Sequence, residues 1–143
     1  MVDRSIRTLI ADKECITCAE NLSVGEAARL MQRNRSGAIM VVEGERLIGI
    51  FTERDALFRV LAENRDQSTP VRDVMTRNPL SITPDKPFAE ALQIMHEGRF
   101  RHVPVVENGR AVGMVSASDA MGPELEAFVW ELLKQEQVND VLA

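Results

Sequence analysis

Two aspartates have the chemistry and spacing of ligand acceptors: Asp55 and Asp119, each three residues after a hydroxyl, Thr52 and Ser116. An ionised carboxylate only accepts hydrogen bonds, so it can take two hydroxyl protons from a bound ligand, while a neighbouring hydroxyl can donate to the same ligand. The same spacing also builds a helix start, with the hydroxyl capping the first turn and the acid complementing the macrodipole. Both purposes fit the residues. Basic side chains gather at Arg99, Arg101 and His102. Arg54 stands beside Asp55, where it can grip a phosphate through two parallel N–H groups or pair at the surface with Glu53 or Asp55. Cys15 and Cys18 form one C-x-x-C in Glu-Cys-Ile-Thr-Cys-Ala. A redox pair wants a helix start after a strand, and a closed zinc site needs about two more soft ligands, for which only His96 and His102 exist. The cysteines read as structural, and His96 as a solvated helix residue.

The elements that position these residues occur twice. Shifting the sequence by 64 positions aligns Cys15–Leu57 with Pro79–Met121 without a gap. Glu26, Ala27 and Met31 recur as Glu90, Ala91 and Met95; Gly49, Asp55 and Ala56 recur as Gly113, Asp119 and Ala120. Such matches at one offset mark an internal duplication and predict two related sites. Each unit begins with a short extended segment, Ile16–Cys18 or Leu80–Ile82. A helix follows, with its apolar stripe on Val24, Ala27, Ala28 and Met31, or on Phe88, Ala91, Leu92 and Met95. Two strands come next, joined at Asn108-Gly109 in the second unit by a pair that tolerates positive φ, and at Glu43-Gly44-Glu45 in the first by a weaker turn. Thr52 and Ser116 then open a further helix. The unit reads β-α-β-β-α.

Between the units, Glu63–Thr76 reads as a linker in which Pro70 suits the first turn of a short helix. Ile6, Arg7, Leu9 and Ile10 echo this element at an offset of 65. The repeats differ at the basic positions. Arg35, Gly37 and Ala38 match Arg99, Arg101 and His102, so the two clefts are expected to be unequal; Met40 stands where the second unit has Pro104. From Pro123 onward, Leu125, Phe128, Val129, Leu132 and Leu133 mark a terminal helix that needs a partner surface, in its own chain or in a second copy.

Composition narrows the function. With 143 residues and 45% hydrophobic content, the chain can build one core or two small ones, without room for a separate catalytic domain. Of the net charge of -5, the segment 124–143 supplies -4 through five acids and one lysine. With no tyrosine, one tryptophan and no basic run, nucleic-acid binding is not expected. No apolar stretch suits a membrane span or signal core, so a cytoplasmic protein without membrane contact is expected. An enzyme would need a nucleophile, metal or acid–base pair in reach, and Asp119 with His102 lacks the accompanying motif.

These features together resemble the CBS-domain family, in the tandem form often called a Bateman module, from the N-terminal segment to Met121. The resemblance is carried by Val71-Arg72-Asp73-Val74-Met75-Thr76, the helices ending at Met31 and Met95, Arg101-His102-Val103-Pro104-Val105-Val106, Gly49-Ile50-Phe51-Thr52-Glu53-Arg54-Asp55 and Gly113-Met114-Val115-Ser116-Ala117-Ser118-Asp119. It implies an α/β (α+β) fold: two CBS-type β-α-β-β-α repeats with pseudo-two-fold symmetry, sheets at the central contact, and a C-terminal helix. The expected division is 1–63 for the first repeat with the N-terminal segment, 64–76 for the linker, 77–122 for the second repeat and 123–143 for the tail.

The resemblance also implies a non-catalytic regulatory or sensor module that holds AMP, ADP or ATP between its repeats, pairs into a homodimer and acts on an unidentified regulated protein. Alternatives are an S-adenosylmethionine-binding module and a ligand-free dimerisation scaffold. By the same resemblance Asp55 and Asp119 take ribose hydroxyls, with Thr52 and Ser116 beside them, while Thr17, Cys18, Ser81 and Ile82 contact the base. The preferred cleft combines Ser116 and Asp119 with Arg101 or His102 of the same repeat, or with Arg54 or Arg35 of the other.

Overall fold

The computed structural model describes residues 4–120, 126 and 129–134. Helix α1 (Ile6–Ile10) precedes strand β1 (Thr17–Ala19), helix α2 (Val24–Arg33) and the hairpin β2 (Ala38–Glu43) and β3 (Arg46–Thr52). A short helix α3 (Glu53–Asp55) runs on as a π-helical stretch, Ala56–Leu61. A 3-10 turn at Val71–Asp73 leads through β4 (Thr76–Arg77) into helix α4 (Phe88–Gly98), the hairpin β5 (His102–Glu107) and β6 (Arg110–Ser116), and a 3-10 turn at Ala117–Asp119. The strands form one sheet in the order β1-β2-β3-β6-β5, with β4 on β3. The halves join where Arg46 pairs with its own repeat counterpart, Arg110, which also bridges to Glu45 at 2.7 Å. The duplicated, mixed α+β architecture is therefore the expected one.

Local chemistry explains most elements. Ser23 caps α2 by accepting from the Glu26 N–H. Asn108 and Gly109 adopt φ of 53° and 78°, so the second hairpin closes through the two-residue turn its sequence signals. Both hairpins carry a register shift at the same repeat position, between Val41 and Val42 and between Val105 and Val106. One expected strand shrinks. In the first unit the Met40 N–H bonds the Ile16 carbonyl at 3.3 Å; Pro104, its counterpart, has no N–H, and Leu80–Ile82 keeps only the bridge from Ile82 to Val105.

Each half has its own core. One contains Val24, Ala27, Met31 and Phe51; the other contains their counterparts Phe88, Ala91, Met95 and Val115. The ring thus moves from strand to helix while the paired Val/Phe composition is kept, a volume-conserving exchange that cores tolerate well. Ala28, expected in the stripe, is exposed, whereas its counterpart Leu92 is buried.

The two echoing segments exchange places across the fold. Val71 and Arg72 donate to the carbonyls of Leu22 and Glu20, on the first repeat. Ile6 and Arg7 donate to Lys86 and Pro84, the equivalent positions on the second. Helix α1 therefore packs against the second repeat, although 1–63 is contiguous with the first in sequence. Residues 126 and 129–134 are helical; Leu125 and Phe128 of the expected terminal stripe lie outside the described residues.

Candidate functional site

At the end of β3 the chain turns into α3, and Asp55 closes a capping box with Thr52. The Thr52 N–H donates to Asp55 Oδ2 at 3.0 Å, and the Asp55 N–H donates to Thr52 Oγ1 at 3.2 Å. Arg59, one turn on, approaches Asp55 Oδ1 at 3.5 Å. Asp55 is buried, at 8% exposure. At the end of β6 the arrangement recurs: the Ser116 N–H donates to Asp119 Oδ2 at 2.7 Å. The cation there is Lys13, from the segment after α1, which pairs with Asp119 Oδ1. Both aspartates thus perform the capping role that their spacing suggested.

Each carboxylate borders a cavity walled by both repeats. The first, of about 600 Å³, joins Thr52, Arg54 and Asp55 to Pro79, Leu80, Arg99 and Arg101. The second, of about 440 Å³, joins Ser116 and Asp119 to Glu14, Ile16 and Arg35. These linings interchange under the repeat offset. Arg35 and Arg99 follow α2 and α4 in the left-handed region, at φ of 50° and 58°. Bonds from the Ser36 and Phe100 N–H groups to Met31 and Met95 complete the same helix-ending motif in both repeats. Glycine or asparagine ordinarily takes that place, and an arginine held there is strained.

A family model described as CBS domain matches residues 6–62 and again 71–122. The chain belongs to the CBS domain family. Among curated relatives, the CBS domain-containing protein CBSCBSPB2 of Arabidopsis thaliana is 38% identical over 121 residues, 83% of this chain. The chain spans only 22% of that protein's length. Among solved structures, the CBS domain pair of protein MJ0100, in complex with 5′-methylthioadenosine and S-adenosyl-L-methionine, is similar at 28% identity and a TM-score of 0.74. The match covers 82% of this chain and 93% of that one. The CBS domain protein PAE2072 from Pyrobaculum aerophilum, complexed with AMP, shares the fold at 24% identity and a TM-score of 0.78, covering 92% of this chain and 99% of that one.

Within this CBS pair the sequence-based residues are redistributed. Thr52, Arg54 and Asp55 share a cleft, as do Ser116, Asp119 and Arg35. Arg101, expected beside Asp119, lines the Asp55 cleft instead, because each cleft draws its opposite wall from the other repeat. His102 lines both, since β5 pairs it directly with Ser116 while its chain neighbour Arg101 faces the other side. Burial is the main influence on His102 and holds its pKa below the ordinary 6.5; Glu53 and Asp119 oppose the shift and Arg101 reinforces it.

Thr17, Cys18, Ser81 and Ile82 are absent from both linings. Cys18 and Ile82 are counterparts in the two cores, and burial pushes the Cys18 thiol up to about 11. The residues that wall the clefts stand two positions earlier, Ile16 and Leu80. The signal for them lay in the repeat itself: the alignment pairs Ile16 with Leu80, a large aliphatic residue in both copies. Phe58 and Arg59 were missed because the second repeat has Gly122 and Pro123 at their positions.

Proposed function

We propose that the chain is a non-catalytic, cytoplasmic regulatory module that binds adenosyl ligands, the adenine nucleotides AMP, ADP or ATP foremost, in the clefts between its repeats. The observation that carries this reading is the recurrence, in both clefts, of a capped carboxylate facing an arginine held at positive φ. A carboxylate for ribose hydroxyls, a guanidinium for phosphate and apolar walls such as Ile16 or Leu80 for a base supply the contacts a nucleoside phosphate needs. The adenosyl ligands of the MJ0100 pair support the ligand class. Mass analysis of small molecules released from gently purified protein, followed by calorimetric titration with AMP, ADP and ATP, tests it. Saturable binding of an adenine nucleotide is expected; failure of all three, with no adenosyl compound released, would overturn it.

The module is further proposed to form a homodimer. Leu57, Phe58 and Leu61, beside α3, are 50%, 53% and 69% exposed. Trp130, at 63%, and Val129, at 42%, add apolar surface on the C-terminal helical residues. A surface of this kind favours pairing with a second copy. If no ligand binds, dimer formation alone would support the scaffold reading.

A further inference from the structure

We propose that the two clefts divide adenosyl ligands by charge: the Asp55 cleft takes those carrying two or three phosphates, and the Asp119 cleft takes those carrying none. The inference rests on the adenosyl-ligand reading and adds a ligand class for each cleft. Because the backbones of the two sites are repeat equivalents, the distinction is carried by side chains.

Four arginines line the Asp55 cleft, against the carboxylates of Glu53 and Asp55. One of the four, Arg59, is committed to Asp55 and to the carbonyls of Val74 and Met75. Arg54 lies over the Phe58 ring at 5.6 Å, a contact that orients the guanidinium without using its N–H groups. Among the described residues, Arg99 and Arg101 make no ion pair. Three guanidinium groups are therefore available to a polyanion, and the cleft keeps an excess of positive charge that attracts one.

The Asp119 cleft is balanced instead. Lys13 and Arg35 face Glu14 and Asp119, and Lys13 is already paired with Asp119. Its wall also lacks the second arginine, and a side chain regained there would have to displace the Glu53 carboxylate. The counterpart of Arg101 is Gly37, where an added Cβ would stand 2.9 Å from Glu53 Oε1 and 3.2 Å from His102 Cε1. A polyphosphate would meet Glu14 and Asp119 there with only Arg35 uncommitted, whereas an uncharged adenosyl ligand carries no such penalty.

Calorimetric titration of the full chain with ATP and with 5′-methylthioadenosine as probes tests the division. Wild-type protein should bind both, and the double substitution Arg99→Gln/Arg101→Gln should lower the ratio of ATP to thioether affinity by about ten-fold or more, the scale of one or two charge-assisted hydrogen bonds. Asp119→Asn should move the ratio the other way. Circular dichroism establishes that each variant is folded, and the single Arg101→Gln, at the exposed residue before β5, repeats the test without touching the helix ending. A ratio that stays put in folded variants, or equal weakening of both ligands, would overturn the division while leaving adenosyl binding intact. Binding of neither probe to wild-type protein would overturn the division together with the reading beneath it.

Discussion

A carboxylate offers about four acceptor directions, and the capping boxes at Asp55 and Asp119 leave some of them open. One side chain therefore has the acceptor capacity for a structural role and, as proposed, for a ligand. Substituting either aspartate by alanine should cost about 0.5–2 kcal/mol, the range for a lost cap, with Asp55→Ala nearer the top because it is the more buried of the two. Thermal unfolding measures that cost, and parallel titration of folded Asp119→Ala protein with 5′-methylthioadenosine, the uncharged ligand class proposed for its cleft, should show weakened binding; unchanged affinity would remove Asp119 from ribose recognition. His102 supplies a pH dependence with a defined sign. Its folded pKa lies below the ordinary 6.5, so under acid conditions the unfolded chain takes up a proton that the folded chain resists. The stability contributed by neutral His102 is complete above about 6.5 and is lost as pH falls through the lowered folded value. Melting temperatures recorded between about pH 8 and pH 5 should decline on the acid side, and His102→Asn should flatten that part of the decline.

At the scale of elements, the recurring glycines that begin the segments Gly49–Asp55 and Gly113–Asp119 have a packing cause. A Cβ on Gly49 would meet Met75 Sδ at 2.5 Å, and one on Gly113 would meet Ile10 Cβ at 2.9 Å. Met75 and Ile10 are the equivalent residues of the two echoing segments, so each glycine makes room for the segment that crosses to its repeat. The two sites should respond unequally. A thioether can swing aside, whereas the branched Ile10 is anchored at its Cβ. Gly113→Ala is expected to destabilise by about 1–3 kcal/mol, the usual cost of overpacking, and Gly49→Ala by less. Urea denaturation of both variants checks the order, and a larger loss at Gly49 would contradict it. Elements were legible in sequence wherever local chemistry decides them, as at Asn108-Gly109 or Ser23. Pro104 shows the limit: its missing N–H was visible, but the loss of a rung to Leu80 depends on which strand lies alongside.

For the whole molecule, exposed Leu57, Phe58, Leu61 and Trp130 lead to the expectation of a dimer. Light scattering at micromolar concentration should give about twice the 16.0 kDa chain mass. Replacing Leu57 and Phe58 together by glutamate should shift the chain toward monomer, because burying two charges at an apolar contact is unfavourable. Monomeric wild-type protein under those conditions would refute the dimer.

The sequence by itself determined the duplication, the strand–helix–hairpin order of the first unit and the helix and hairpin of the second, the capped aspartates and the unequal basic complement of the two copies. All of these are properties of residue type and spacing along one chain. Only the tertiary structure decided that α1 packs on the second repeat, that Arg101 faces Asp55 rather than Asp119, and that Ile16 and Leu80, rather than Cys18 and Ile82, wall the clefts. The physical reason is the pseudo-two-fold arrangement. It builds each cleft from the strand end of one repeat and the helix end of the other, a pairing between segments far apart in sequence that no local pattern encodes.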